Sequence, residues 1–223
     1  ESTVHEAIYV AKTGRGGPVV IDLPKDVQNQ LVTDEYRFDT QTYRPTLPGF
    51  YYHPTPEREP LQKAIDLINR SERPVLFCGH GVINSNAGRL LLRFAEKVNI
   101  PIASTFHGLS AIPADHPLHL GMMGMHGTVE ANRAIMNADL LISFGMRFDD
   151  RVTGKLNEYA QDADVIHVEI DPSEIDKNVR TTVAINADVY RTLHVLVGDP
   201  MLNCKPRRRW LEKIEGYRQV MAD

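Results

Sequence analysis

Residues that could bind a ligand follow each of five short apolar runs in this sequence. Glycine lets a backbone approach a flat or phosphorylated group, arginine binds a diphosphate through charge-assisted hydrogen bonds, and a carboxylate at a strand end accepts ribose hydroxyls. The residues after the runs are Gly79 and Gly81; Thr105, Phe106 and His107; Gly145, Arg147, Asp149 and Arg151; Glu169 and Ile170; and Asp188. Together they predict a nucleotide site.

Each of these features also has a purely structural explanation. The glycines could serve tight turns alone, Arg147 and Arg151 could pair with Asp149 and Asp150, and Glu169 could be an ordinary exposed strand end. The sequence contains no GxGxxG fingerprint, which disfavours a plain NAD site. It also lacks GxSxG, a Walker sequence and a Cys–His pair of recognisable spacing, so enzymes that depend on those motifs are not indicated.

A glycine- and methionine-rich segment, GMMGMHG at residues 121–127, is a further candidate. Methionine is apolar and flexible, so this methionine loop could lie against a flat ring, although composition alone favours core filling. His116 and His119 have the spacing HxxH, but Pro117 lies between them, so they cannot form a regular helical metal-binding face. A zinc site is therefore not expected.

Alternating strand and helix patterns would position these residues. Runs rich in Val, Ile and Leu predict strands at residues 75–78, 100–105, 140–144, 165–170 and 183–187. Helical spacing lies between them, with Ser85 and Thr128 as predicted N-caps. The pattern predicts an α/β fold, a doubly wound, Rossmann-like parallel sheet with helices on both faces. In such a sheet, ligands bind outside the carboxyl ends of the strands.

The organisation along the chain predicts a central domain with flanking pieces of other domains. Residues 1–25 combine one helical pattern with an apolar strand pattern at 18–24 and are interpreted as the remnant of a preceding domain. Residues 26–55 contain several prolines and predict a linker. Residues 56–200 form the predicted Rossmann-like domain, and residues 201–223 a linker helix toward a following domain.

Composition excludes several classes of function. Of the 223 residues, 42% are hydrophobic and 24% charged, and the formal net charge is −4, so no basic field favours nucleic acid. No apolar window reaches the ~18 residues that a membrane span requires. The two cysteines, Cys78 and Cys204, lie far apart, and a reducing, cytoplasmic environment fits them better than a disulfide framework does.

Three motifs carry a resemblance that covers essentially the whole chain. GRGGPVVIDLPKD at residues 14–26 resembles the GRPGPVxxDxPKD segment that ends the first domain of thiamine-diphosphate carboligases, with Gly16 in place of the proline. GMHG at residues 124–127 is shared with the same enzymes, including pyruvate oxidases and glyoxylate carboligase. RFDDRVTGK at residues 147–155 is similar to the motif of biosynthetic acetohydroxyacid (acetolactate) synthases, and it is the most specific of the three.

The resemblance implies an enzyme of three α/β domains, of which this chain holds the middle one. The first and third domains of that family bind thiamine diphosphate and Mg²⁺ across a dimer interface, and the middle domain binds FAD. The enzyme decarboxylates pyruvate and joins the two-carbon unit to pyruvate or 2-oxobutanoate, which begins branched-chain amino acid synthesis. Its large subunits form a homodimer or homotetramer that can carry a regulatory small subunit, in a bacterial-like cytoplasm.

The resemblance implies no catalytic residue here, because the family's activating glutamate and magnesium motif fall outside this sequence, and the isolated chain is expected to be inactive. The implied FAD-binding residues form six groups: Arg15 from the first domain; Gly79 and Gly81 beside the diphosphate and ribitol; Thr105, Phe106 and His107 along the flavin; Gly124, Met125 and His126 near the ring; Gly145, Arg147, Asp149, Arg151 and Val152 in the loop after the third predicted strand; and Glu169, Ile170 and Asp188 at the adenosine end. Phe106 and His107 depart from the family's usual Leu-Gln, and residues 160–161 from its usual Ala-Pro.

Two alternatives remain open from the sequence. One is another flavin-containing carboligase of the same family, such as glyoxylate carboligase, against which the RFDDRVTGK motif argues. The other is a non-catalytic nucleotide-binding module, against which the flanking domain remnants argue.

Overall fold

The computed structural model describes residues 2–31 and 54–219. The chain divides into two units, Glu1–His53 and Pro54–Asp223. Most of the predicted linker, residues 32–53, lies outside the described residues.

The first unit contains two helices among its described residues, α1 (Ser2–Lys12) and α2 (Lys25–Gln28). The helix predicted from Val4, Ala7, Ile8 and Ala11 is confirmed by α1. The strand predicted at residues 18–24 is wrong, since that described segment has no strand structure. A strand needs a neighbour to pair its backbone groups, and the described part of this unit provides none.

The second unit is built on a six-stranded parallel sheet, in the order β3-β2-β1-β4-β5-β6. The strands are β1 (Pro74–Cys78), β2 (Ile102–Ser104), β3 (His119–Met122), β4 (Leu140–Phe144), β5 (Asp164–Glu169) and β6 (Val183–Asn186). The predicted doubly wound α/β fold is confirmed. All strands run in one direction, so their C-terminal ends form one side of the sheet, called the carboxyl edge here.

Helices connect the strands and cover both faces of the sheet. They are α3 (Arg58–Arg70), α4 (His80–Asn84), α5 (Gly88–Val98), α6 (Val129–Met136), α7 (Asp150–Thr153), α8 (Val189–Gly198) and α9 (Arg208–Gln219), with 3-10 turns at Phe106–Ala111, Leu156–Glu158 and Pro172–Glu174. One apolar cluster includes Ile68 of α3, Phe94 of α5 and Leu193 of α8. A second includes Ile135 of α6 and Trp210 of α9. Burying each such side chain contributes roughly 1.5–3 kcal/mol to the hydrophobic stabilisation of the sandwich.

Two predicted N-caps have different outcomes. Thr128 is confirmed, because its side chain accepts a hydrogen bond from the backbone N–H of Ala131 at the start of α6. Ser85 is wrong, because it ends α4 and its hydroxyl donates to the Gly81 carbonyl over 2.7 Å. The left-handed Asn86, with φ of 53°, reverses the chain before α5 begins.

The C-terminal helix packs on the domain. The helix predicted in this region is observed as α9, and the indole N–H of Trp210 donates to the Pro74 carbonyl over 3.0 Å while Ile214 is buried. A further domain beyond α9 stays a prediction. Across the described ranges, no helix is long and apolar enough to cross a membrane.

Candidate functional site at the carboxyl edge

The strand order places the site. The chain runs from β1 outward to β2 and β3 and then returns to β4 on the other side of β1. The loops after β1 and β4 therefore leave the sheet in opposite directions, which opens a crevice where ligands of such folds bind. Gly79 and Gly81 follow β1, and Gly145 follows β4. These predicted residues thus lie beside each other at the switch point.

The glycines at this point let two backbones touch. The N–H of Gly79 donates to the Phe144 carbonyl over 3.0 Å, and that of Gly81 to the Gly145 carbonyl over 2.9 Å. A Cβ on Gly81 would lie 2.6 Å from the Cα of Gly145, and Gly145 itself has a φ of +57°. Any side chain here would clash with backbone, so these glycines do more than serve a tight turn.

The loop after β2 places aromatic rings beside the crevice. The N–H of Thr105 donates to the Cys78 carbonyl over 2.9 Å, and its hydroxyl accepts from the Gly108 N–H over 3.2 Å. This anchors the loop while leaving Phe106 71% exposed. The ring of His107 lies 5.3 Å from that of Phe106 and 5.7 Å from that of His80. An exposed aromatic group therefore stands next to the glycine floor.

Buried polar side chains support this loop from below. Ser104 and His119 hydrogen-bond over 3.0 Å between β2 and β3. Burial, offset in part by the Ser104 hydroxyl, raises the pKa of the Cys78 thiol to about 12. Cys78 is therefore neutral at physiological pH and acts as a small packed group.

The methionine loop divides between core and surface. Met123 is buried, whereas Met125 is 61% exposed. The core-filling interpretation thus applies to Met123, and contact of the exposed Met125 with a ring stays a prediction. The Met125 N–H donates to the Arg151 carbonyl over 3.0 Å, and the Arg151 guanidinium lies 3.8 Å from the Met125 sulfur. His126 is exposed beside it.

The arginine loop (residues 145–152) alternates inward and outward side chains. Met146 and Phe148 are buried, whereas Arg147 and Arg151 are exposed. The buried ring of His167 donates from Nε2 to the Met146 carbonyl over 2.9 Å, and Asn178 donates to the Phe148 carbonyl over 2.7 Å. This donor role leaves Nδ1 of His167 as an acceptor, and burial lowers the pKa of the ring, which favours that neutral form.

The arginines of this loop make only loose ion pairs. Arg147 lies 3.9 Å from Asp149, and Arg151 lies 4.0 Å from Asp150, with all four side chains substantially exposed. Such pairs contribute about 0–1 kcal/mol, so both guanidinium groups retain most of their capacity to bind an anion. The other carboxylate oxygen of Asp149, Oδ1, is buried and has no hydrogen-bond partner within the described part of the chain. The main chain of Asp149 and the half-buried Val152 form the start of α7.

The predicted adenosine end is organised by backbone contacts. Glu169 is buried, which rules out an ordinary exposed strand end, and its carboxylate accepts from the N–H groups of Ile170 and Asp171 at 3.0 and 3.2 Å. Asn186 donates to the carbonyls of Glu169 and Ile170 at 2.8 and 3.1 Å. Asp188 caps α8 by accepting from the Arg191 N–H over 3.0 Å. Asp188 therefore has a structural role whether or not it also meets a ligand.

Arg15 lies in the first unit, after α1, and is exposed. A Cβ on the neighbouring Gly16 would lie 2.7 Å from the Ala11 carbonyl oxygen. The Gly16 backbone is thus packed closely against the end of α1.

All predicted site residues except Arg15 follow strands on the carboxyl edge of the second unit. The supporting side chains Asn132, His167, Asn178 and Asn186 were not predicted, because each is an ordinary polar residue inside or beside an apolar pattern. Over the described ranges, no group of three or more His, Cys, Asp or Glu side chains has the arrangement of a metal site.

Comparisons with known proteins show the family to which this chain is similar. The family model "Thiamine pyrophosphate enzyme, central domain" matches residues 61–196. The probable acetolactate synthase large subunit of Methanocaldococcus jannaschii is 47% identical over 216 residues, covering 95% of this chain and 36% of the relative. Acetolactate synthase 2, chloroplastic, of Zea mays is 46% identical over 192 residues, covering 85% and 29%. The Haemophilus influenzae acetolactate synthase large subunit is 38% identical over 201 residues, covering 88% and 34%. The chain thus spans about a third of the length of these relatives.

Proposed function

The chain belongs to the family of thiamine pyrophosphate enzyme central domains, and on that basis we propose that it is the middle part of an acetolactate synthase large subunit and that its carboxyl edge binds FAD. The full-length protein, meaning the complete product of the gene that encodes this chain, would decarboxylate pyruvate and join the two-carbon unit to pyruvate or 2-oxobutanoate. Thiamine diphosphate and Mg²⁺ would be bound by parts of that protein outside this chain. It would act in the cytoplasm as a homodimer or homotetramer, with a regulatory small subunit as its partner.

The observation that best supports FAD as the ligand is the combination of groups at the carboxyl edge. Two guanidinium groups with only loose ion pairs, exposed apolar side chains and glycine backbone without side chains all lie there. Arg147 and Arg151 suit a diphosphate, and Phe106 and Met125 suit a flat apolar ring. FAD combines these two chemical parts in one molecule. On the same loop, Oδ1 of Asp149 is buried and lacks a donor among the described residues.

The residues of the site would share the work of binding. Arg147 and Arg151 would donate hydrogen bonds to the diphosphate, the floor of Gly79, Gly81 and Gly145 would admit the chain that links it to the ring, and the turn after β5 would meet the adenosine. The bound flavin would supply a rigid wall to the active site rather than net redox chemistry, because joining two 2-oxo acids with loss of CO₂ transfers no net electrons.

The test is reconstitution of the full-length protein. We expect acetolactate to form from pyruvate only when thiamine diphosphate and Mg²⁺ are present, and the activity to fall when FAD is stripped and to return when FAD is added. Full activity without FAD would remove the flavin from the proposal. Product from glyoxylate in preference to pyruvate would instead indicate glyoxylate carboligase. Absence of any carboligation, with tight binding of another nucleotide, would indicate a non-catalytic module.

A further inference from the structure

The side-chain amide of Asn132, in α6, forms a two-point contact with the backbone of Gly124 in the methionine loop. Its oxygen accepts from the Gly124 N–H and its nitrogen donates to the Gly124 carbonyl, both over 2.9 Å. We propose that Asn132 is a positioning residue that fixes the methionine loop against the arginine loop and so shapes the ring end of the ligand site. This inference rests on the proposed function for the identity of the ligand.

The chemistry of the contact requires an amide. Gly124 has a φ of +92°, and its backbone lies outside the ladder of the sheet. Its carbonyl also accepts from the Gly127 N–H over 2.9 Å, whereas its N–H has the Asn132 side chain as its partner. An asparagine presents one donor and one acceptor in one plane and meets both groups at once. An aspartate at this position would keep the acceptor and lose the donor, and a leucine of similar size would lose both.

The contact extends from Gly124 to the arginine loop. A Cβ on Gly124 would lie 2.4 Å from the Arg151 carbonyl oxygen, so the two backbones touch there. The next N–H, that of Met125, donates to the same carbonyl over 3.0 Å. Fixing Gly124 therefore fixes the backbone from which the Met125 side chain extends relative to the backbone of Arg151.

The base of this contact is rigid. The Thr128 hydroxyl donates to the Leu120 carbonyl over 2.6 Å, its N–H donates to the Met122 carbonyl over 2.8 Å, and its side chain also caps α6. These bonds join the start of α6 to β3 and so hold the two ends of the methionine loop together. Asn132, one turn into α6, transmits that fixed position to the tip of the loop.

The first experiment measures the contact without any ligand. Amide hydrogen exchange of the methionine loop is followed in the full-length protein for the wild type, Asn132→Asp and Asn132→Leu. We expect the Gly124 amide to exchange about 10-fold faster in Asn132→Leu, while Asn132→Asp, which keeps the acceptor, lies between it and the wild type. The control is Asn137→Leu at the C-cap of α6. It removes a hydrogen bond donated to the Arg133 carbonyl of α6 and one accepted from the Lys213 ammonium of α9.

The second experiment measures ligand binding by the same proteins. We expect FAD to bind about 10-fold more weakly to Asn132→Leu, with a changed visible spectrum of the bound flavin. The affinity for ADP-ribose, which lacks the flavin ring, should change by less than about twofold in a competition assay. Asn137→Leu should leave both affinities unchanged. If Asn132→Leu does not fold, the isosteric Asn132→Asp is tested instead by FAD affinity, the spectrum of the bound flavin and ADP-ribose competition.

The two proposals fail in different ways. A wild-type protein that binds no FAD would overturn the proposed function, while the exchange data would still decide whether the contact exists. Unchanged exchange in Asn132→Leu would overturn the contact. Faster exchange with unchanged FAD affinity and spectrum would overturn its role at the site. Equal weakening of FAD and ADP-ribose, with a lower melting temperature, would reduce Asn132 to a residue of general stability.

Discussion

Replacing Arg147 by alanine tests the site most directly, because the structure separates the residue's binding role from its structural one. The guanidinium is 50% exposed and lies 3.9 Å from its only ion-pair partner found among the described residues, Asp149. Losing so loose a pair should cost about 0–1 kcal/mol of stability, a melting shift below about 4 °C for a domain of this size. A charge-assisted hydrogen bond to the FAD diphosphate is worth about 1.5–3 kcal/mol.

We therefore expect Arg147→Ala in the full-length protein to weaken FAD binding about 10- to 150-fold while the flavin-free protein melts almost as before. Arg147→Lys should fall between, since it keeps the charge and loses the two-pronged geometry. Flavin fluorescence titration gives the affinity, and melting curves with and without FAD give the stability. Thiamine diphosphate affinity should change much less, because other parts of the protein hold it in this proposal.

Arg70→Ala is the matched control. Arg70 pairs with Asp164 over 3.2 Å at the start of β5, the opposite edge of the sheet, and is similarly exposed. Its loss should resemble that of Arg147 in the melting curve and leave the FAD titration unchanged. An unchanged titration for Arg147→Ala, combined with a marked loss of flavin-free stability, would refute the reasoning and leave Arg147 as a partner of Asp149 alone.

Two further predictions concern stability and need no ligand. Gly145→Ala should lower the free energy of unfolding by about 2–3 kcal/mol, because the new Cβ would lie 2.6 Å from Gly81 and the φ of residue 145 is +57°. The control is Gly154→Ala, which has a φ of +60° and no atom within 4 Å of its Cβ, so it measures the strain of a positive φ alone. Equal losses of the two variants in urea unfolding would contradict the effect of the close contact. Burial lowers the pKa of both His167 and His119 below the ordinary 6.5. The stability that their neutral forms contribute is therefore fully present above pH 6.5 and is lost as the pH falls from there through the folded pKa values. His167→Gln should flatten the decline of the unfolding free energy as the pH falls below 6.5, and an unchanged slope would show that burial of His167 does not govern that decline.

The sequence predicted the carboxyl-edge residues because one simple rule sufficed. Five apolar runs predicted five of the strands, and parallel strands end on the same edge, so the residues directly after them must gather there. The rule did not predict β3, because this strand is not an apolar run. It contains the polar His119 and also Gly121, which has a φ of +81°. Such an edge strand is held by its neighbour β2 rather than by its own propensity.

The errors share a cause, which is that local patterns do not report on partners. Ser85 is a good capping residue, but the left-handed Asn86 turns the chain before α5 begins. The Ser85 hydroxyl therefore donates to the Gly81 carbonyl of α4 instead of capping α5. The apolar run at 18–24 has the composition of a strand, but the described part of its unit offers no second strand. The same limit hid Asn132 and His167, whose importance lies in which carbonyl or N–H each meets.

The alternation within the arginine loop explains how one short motif can be both a structural and a functional signature. Met146 and Phe148 face the core, where His167 and Asn178 hold their carbonyl groups, so the path of the loop is set from the inside. Because that path is fixed, Arg147 and Arg151 face outward without needing carboxylates to hold them, and each guanidinium pairs only loosely with a neighbouring aspartate. In the proposed site, the inward residues of the motif would supply the preorganisation and the outward residues the affinity. A loop that needed its ion pairs to keep its shape could not release the same guanidinium groups to a diphosphate.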